Sequence, residues 1–281
     1  MDDTSKPASN VGRGYYDANY GNFQSRLYEQ VRRDAFGEDI GQNSWLTAGE
    51  HDKFLGWLDL SAGKRVLDVA CGAGGPALRM AAATGASVIG VDVHAQAIAA
   101  ANSLAVERGL SQVAEFRVVD AAQRLPFPDG SFDAITCIDA INHLPDRPRV
   151  VNEWVRLLKP GGYLLFTDPI IVSGPLTQAE IAVRSSAGFY LFVPPGYDER
   201  VLVECGLRVV VSENVTQNMA DIAERRRLAR ESHGEALRAI EGDQAYATQQ
   251  EFLTVSSRLA KEGRLARFVF VAEKASVARR K

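Results

Sequence analysis

The stretch of this 281-residue sequence with the most chemical content is Val66-Leu67-Asp68-Val69-Ala70-Cys71-Gly72-Ala73-Gly74-Gly75-Pro76-Ala77. A β-branched apolar run enters a glycine turn that opens a helical segment. Without side chains at Gly72 and Gly74 a ligand can lie against the backbone, and the helix start presents free N–H groups to it. Asp92 closes the next β-branched run twenty residues after Gly72, where an acid would bind ribose hydroxyls. The same spacing satisfies the dinucleotide pattern GxGxxA, so a nicotinamide cofactor remains open on these residues alone. Asp68 points elsewhere: just before the glycines it would repel a pyrophosphate at close range. It suits an ammonium group, or it holds the glycine loop through hydrogen bonds. Asp120, ending the third run before Ala121, can accept from an adenine amino group.

Two further groups could move a proton or steer a reacting atom. His143 sits in a turn after an apolar strand, where it either takes a proton or caps a helix. Asp168 ends a strand, where α/β sheets place ligands, although Asp before Pro169 also forms turns. The loop Gly41-Gln42-Asn43-Ser44-Trp45 has more hydrogen-bonding groups than a connector needs and reads as a cofactor lid, with Gln42 and the upstream Tyr16 reaching the cofactor. Arg184 to Pro195 concentrates aromatics, Phe189 and Tyr190 among them. It reads as an acceptor wall with Arg184 as an anchor for an anionic substrate, or else as a buried helix. Cys71, Cys137 and Cys205 are odd in number and widely spaced, which argues against disulfides and a zinc site, so no metal is expected.

The elements that would hold these residues alternate. From Lys64 onward the short runs RVLDVA, SVIGVD, AEFRVVD, FDAITCID, GYLLFTD, RVVVSENV and RFVFVAEK are separated by helical stretches, which predicts an α/β, doubly wound parallel sheet. Residues 61–281 form that domain. Residues 1–60 form an N-terminal lid: Tyr15, Tyr16, Tyr20, Phe23, Leu27, Tyr28 and Val31 recur at near-helical spacing, and a second helix covers roughly Ala48 to Leu58. Cap helices are expected at about 170–200 and at 216–261, the latter inserted between the last two strands.

The net charge of −3 offers no excess of Lys and Arg, so nucleic acid is not an expected partner. No apolar run reaches the ~18 residues of a membrane helix, and the start is polar rather than leader-like. A cytoplasmic protein with a small-molecule partner fits. A homo-oligomer is compatible with the sequence but not specified by it.

In order, VLDVACGAGG, VIGVD, LPFPDGSFDAI, INHLPD and LKPGGYLLFTD resemble the successive motifs of class I S-adenosylmethionine-dependent methyltransferases, densely over Lys64 to Pro169. The flanks are similar to the small-molecule branch related to the quinone-biosynthesis and sugar O-methyltransferases. The resemblance implies a seven-stranded sheet whose last strand, RFVFVAEK, is antiparallel and closes the chain as an edge hairpin. It implies that Ala70, Gly72 and Gly74 line the methionine half of S-adenosylmethionine. Asp92 would take the ribose and Val93 flank the adenine, with Asp120 and Ala121 at its edge and Ile138 beneath the cofactor. Asp139, Asn142 and His143 would face the transferring methyl, with Asp168 beside His143. The implied reaction is methyl transfer to an O, N or C nucleophile. A nicotinamide-dependent oxidoreductase and a non-catalytic adenosine-ligand binder are the alternatives.

Overall fold

The structure, a computed structural model, describes residue 16 and residues 19–276. Tyr15, counted above in the first helix, lies outside the described residues. Seven strands form one sheet in the order β3-β2-β1-β4-β5-β7-β6. β1 (Arg65–Val69), β2 (Ser87–Asp92), β3 (Ala114–Val118), β4 (Phe132–Cys137) and β5 (Leu158–Val172) run parallel. β7 (Leu265–Lys274) is antiparallel to both β5 and β6 (Leu207–Asn214). The last strand is therefore antiparallel as expected but is not at the edge. Burial explains the order. β7 is covered along most of its length, fit for a strand with a neighbour on each side, whereas β6 alternates buried and open residues as a border strand does.

α1 (Arg26–Phe36) starts at Ser25, whose hydroxyl accepts from the Tyr28 N–H, and α2 (Ala48–Leu55) starts at Thr47, which accepts from Glu50. The tyrosine-rich stretch is thus not one continuous helix, because the helix breaks at residues 23–25 and restarts at a new cap. α3 (Gly75–Thr84) and α4 (Ala95–Glu107) follow β1 and β2, and α5 (Arg147–Leu157) follows β4. After β5 come α6 (Gln178–Arg184), closed by a Thr177–Glu180 capping box, and α7 (Tyr197–Glu204). Only α6 and the coil after it overlie the site, since α7 packs on α5 and β6 as part of the sheet's own helical layer.

Between β6 and β7 stand α8 (Thr216–Ser232), α9 (Gly234–Glu241) and α10 (Asp243–Lys261). Val31, Ala35 and Phe36 of α1 share one buried apolar cluster with Trp45, Met219, Ala223 and Leu253. α1 is consequently fused to α8 and α10, and the N-terminal layer and the cap form a single body above the sheet.

Candidate active site

Just past β1 and β4 the backbone turns through a residue at positive φ. Ala70 (φ 56°) and Asp139 (φ 52°) are left-handed without being glycine, which costs on the order of 1–3 kcal/mol each and marks places where geometry is imposed for use. Between them opens a cavity of about 480 Å³ at the carboxyl edge of the parallel strands. Ala70, Gly72, Asp92, Val93, Asp120, Ala121 and Ile138 line it, with Tyr16 and Tyr20 across its mouth.

Each acid in the cavity is set by a different environment. Asp92 is buried, and its two carboxylate oxygens accept from the Gly72 N–H and the His94 N–H, both at 2.9 Å. It clamps the glycine turn to β2, and burial pushes its carboxyl above the ordinary value. Asp68 accepts from the Thr136 hydroxyl at 2.7 Å. Burial, with the nearby Asp92 charge adding to it, raises Asp68 from 3.8 to about 7. Such a carboxyl gains most from a cation placed beside it. Asp120 is exposed and accepts from the Ala122 N–H at 2.9 Å, which holds the turn after β3.

The two glycines have separate reasons. At Gly72 (φ 54°) a Cβ would stand 2.6 Å from the Tyr20 hydroxyl, on the cavity side. At Gly74 (φ 76°) it would stand 2.8 Å from Ala101 and Phe116, inside the protein. Gly74 therefore does not line the cavity; it lets α4 and β3 approach the start of α3.

His143 closes the other end of the cavity, in a single 3₁₀ turn over Ile141–His143. Its Nδ1 lies 2.9 Å from the Phe189 carbonyl, which can only accept, so Nδ1 carries the proton. Nε2 keeps its lone pair and faces the Tyr16 hydroxyl at 3.2 Å. Tyr190 packs edge-on against the ring at 4.5 Å. Burial lowers the imidazole from 6.5 to about 4, so it is neutral at neutral pH. Beyond His143 lies an inner pocket of about 60 Å³, reached by Asn142, Arg184, Tyr190 and Phe252. Asn43, Arg226 and Gln249 are common to this pocket and to an outer chamber of about 340 Å³ between α1 and the cap helices. Tyr16, Asp139 and His143 are common to the inner pocket and the cofactor-sized cavity. The three spaces thus adjoin one another in series, and His143 belongs to the wall that the inner pocket shares with the larger cavity.

Several sequence expectations change place. Asp168 is fully buried away from His143: Arg147 Nη1 donates to it at 2.5 Å and to Asp198 at 2.6 Å. Its side chain takes the α5 and α7 side of the sheet, where Arg147 at the start of α5 holds it beside Asp198 at the start of α7. Asp198, sharing one guanidinium with Asp168, is pushed up by burial and by its neighbour's charge. Gln42 does not reach the cavity either. Its amide accepts from the Ile40 N–H at 2.9 Å and closes its own loop beside the outer chamber. Asp139 borders the inner pocket, but both oxygens are occupied: Oδ1 by Arg267 and Thr167 at 2.7 Å each, Oδ2 by the Trp45 N–H at 2.9 Å. It fastens the loop around Trp45 to β4 and β7. Phe189 is half exposed at the cavity mouth, and its backbone rather than its ring does the holding.

Sequence reasoning missed Arg267, which is buried between Asp139 and Glu50. A lone Arg in an apolar strand was the available signal. It expected a cap over 216–261 but named none of its pocket residues: Gln249 and Phe252 of α10 line the inner pocket, and Ser256, one turn on, accepts from Arg184.

Residues 67–166 match the family model described as a methyltransferase domain. Over 261 residues the chain is 31% identical to 27-O-demethylrifamycin SV methyltransferase of Amycolatopsis mediterranei (strain S699), covering 90% of this chain and 94% of that one. The chain belongs to the class I S-adenosylmethionine-dependent methyltransferases. Two solved structures show the same fold as this methyltransferase. The [4+2]-cyclase SpnF superposes with a TM-score of 0.77 at 24% identity, covering 96% of this chain and 99% of that one. Haemonchus contortus phosphoethanolamine N-methyltransferase 2, complexed with phosphomonomethylethanolamine and S-adenosylhomocysteine, gives 0.78 at 22% identity, over 93% of this chain and 60% of that one. The methyltransferase uses S-adenosylmethionine and methylates an O, N or C nucleophile of a small molecule, which disposes of the nicotinamide and non-catalytic alternatives. Among the described residues no helix is long and apolar enough to cross a membrane, and no cluster of His, Cys, Asp and Glu could hold a metal ion.

Proposed function

We propose that this methyltransferase acts on a hydroxyl group of a bulky, largely apolar acceptor, with His143 as general base. The observation that carries the reading is the fixed tautomer of His143, whose Nε2 lone pair stands where the cofactor cavity meets the inner pocket. The relative from Amycolatopsis is named for an O-demethyl acceptor, which agrees with oxygen as the nucleophile. The outer chamber of about 340 Å³ lies within the usual range for small-molecule sites and would take the acceptor's body while a hydroxyl reaches inward.

The residues of the larger cavity fit S-adenosylmethionine. Asp68 offers a buried carboxyl suited to the ammonium, Gly72 leaves room against the backbone, and Asp92 keeps free lone pairs for ribose hydroxyls. Val93 and Ala121 would flank the adenine, Asp120 its edge, and Ile138 the underside. When bound, the cofactor supplies a methyl group on a sulfonium, already activated toward displacement. His143 takes the acceptor's hydroxyl proton on Nε2, replacing Tyr16 as hydrogen-bond partner, while the Phe189 carbonyl holds Nδ1–H and fixes the ring. The cap, α1 and the two tyrosines exclude water. Alignment contributes on the order of 7–11 kcal/mol. The base adds 10²–10⁴-fold, about 3–5 kcal/mol.

The test is turnover of hydroxylated metabolites with isotope-labelled cofactor, read by mass spectrometry of the product. His143→Ala should lower kcat about 10²–10⁴-fold with cofactor affinity nearly unchanged. Loss of less than about tenfold would remove the base and leave alignment to carry the reaction.

A further inference from the structure

Arg184 ends α6 with its guanidinium enclosed, at 1% exposure. Buried guanidinium groups need compensation. Arg147 and Arg267 find it here in pairs of carboxylates. Arg184 has no carboxylate within ion-pair distance among the described residues. Nη1 donates to the neutral Ser256 hydroxyl at 2.9 Å, and the planar group lies 4.5 Å from the Phe252 ring centre and 6.0 Å from that of Tyr190. Nε belongs to the edge that grips planar oxyanions through two parallel bonds, and it has no partner. Asp139 acts on Arg184 only from beyond ion-pair distance, with both its oxygens already engaged.

Asn142 repeats the pattern. It is 0% exposed, and neither its side-chain oxygen nor its nitrogen has a partner. Both residues border the inner pocket that holds His143. An unpaired buried charge next to an unpaired buried amide weakens the fold and returns nothing to it. Two such groups on one small cavity are what a polar ligand group leaves behind when it is absent.

Building on the acceptor role given above to this pocket, we propose that Arg184 and Asn142 bind a carboxylate of the acceptor beside the hydroxyl that His143 deprotonates, so that the substrate class is a hydroxylated carboxylic acid. The pocket's volume of about 60 Å³ admits a group of a few heavy atoms, several times the space one water needs. A carboxylate is planar and matches the guanidinium edge. It also balances the imidazolium formed when His143 takes the proton, a charge that Arg184 alone would oppose.

The experiment uses the full chain loaded with S-adenosylhomocysteine, so no methyl is transferred and the result does not depend on the base. Salicylate, salicylamide and inorganic phosphate are titrated by calorimetry, and the arginine Nε–H resonances are followed by NMR. Salicylate should bind and shift the Arg184 Nε–H signal, with salicylamide about tenfold weaker or worse. Arg184→Met should weaken salicylate about thirtyfold or more while leaving S-adenosylhomocysteine within about twofold, and Arg184→Lys should recover part of the loss. Should Arg184→Met fail to fold, Asn142→Ala supplies the comparison, with an expected loss of about tenfold. Equal binding of salicylate and salicylamide, tighter binding of phosphate, no anion binding at millimolar concentration, or salicylate affinity unmoved by these variants would overturn the proposal. A catalytically silent His143→Ala would instead remove the base and leave the carboxylate site standing.

Discussion

Asp68 makes a prediction whose size follows from its surroundings. Its carboxyl is raised from 3.8 to about 7 in the free enzyme, so below neutrality it is mostly protonated. A bound ammonium would favour the ionised form and return the value toward the ordinary range. Between those limits the free enzyme holds a proton that the complex does not, so binding expels it. Affinity should therefore rise with pH from about 4 to 7 and level off above. The ceiling is about three units, roughly thousandfold or 4 kcal/mol. Calorimetry at pH 6 in two buffers of different ionisation enthalpy should register release of close to one proton per site. In Asp68→Asn the release should vanish and binding at pH 8 should weaken by about 1.5–3 kcal/mol, the worth of a hydrogen bond to a charged group. Equal heats in both buffers, or the same proton release from Asp68→Asn, would refute the reasoning and leave Asp68 with only its Thr136 contact.

The acid limb of kcat/KM, which reports His143 in the free enzyme, should centre near pH 4 rather than at the 6.5 of an ordinary imidazole, because burial opposes the charged ring; a stopped-assay pH profile at low substrate reads this directly. Gly72→Val should abolish cofactor binding and, because a β-branched residue is strained at a φ of 54°, also lower stability, so binding is read on the folded fraction. Gly74→Ala, whose Cβ meets Ala101 and Phe116 at a positive φ, should cost about 2–5 kcal/mol in denaturant unfolding. Asp168→Ala should destabilise by about 3–5 kcal/mol, since it leaves Arg147 short of a partner, yet the folded fraction should keep its kcat. In hydrogen exchange, the Trp45 amide, bonded to Asp139, should be protected with or without cofactor, whereas residues 19–24 should become protected only when it is bound.

The strands and the cofactor cavity were legible because the signals are local. β-branched runs, a glycine turn and acids at strand ends each announce themselves within a dozen residues, and their order identified the family. What escaped was decided by facing and by long-range partners. Asp168 looked like a site residue from its strand-end position, but whether a carboxylate faces the cavity or Arg147 depends on which helix covers that side of β5. Gln42 likewise sits in the expected loop and turns the other way. Asp139, expected to face the transferring methyl, borders the inner pocket with both oxygens engaged, and that engagement depends on Arg267, 128 positions later in the chain. The edge position expected for RFVFVAEK failed because antiparallel orientation does not say which side a strand inserts on.

That insertion has a consequence for how the protein comes into being. Of the seven strands of the sheet β7 is the last to leave the ribosome, and it must enter between β5 and β6, which do not pair with each other. Until residues 265–274 emerge, the nascent sheet presents the open edge of β5, a long apolar template for pairing with other chains. The same strand carries Arg267, the counter-charge for Glu50 and for Asp139, which borders the inner pocket. Pairing of β7 with its neighbours thus also brings Asp139 and Glu50 their counter-charge. A chain halted before Leu265 would leave β5 and β6 without the strand that joins them and would expose an edge prone to pairing with other chains.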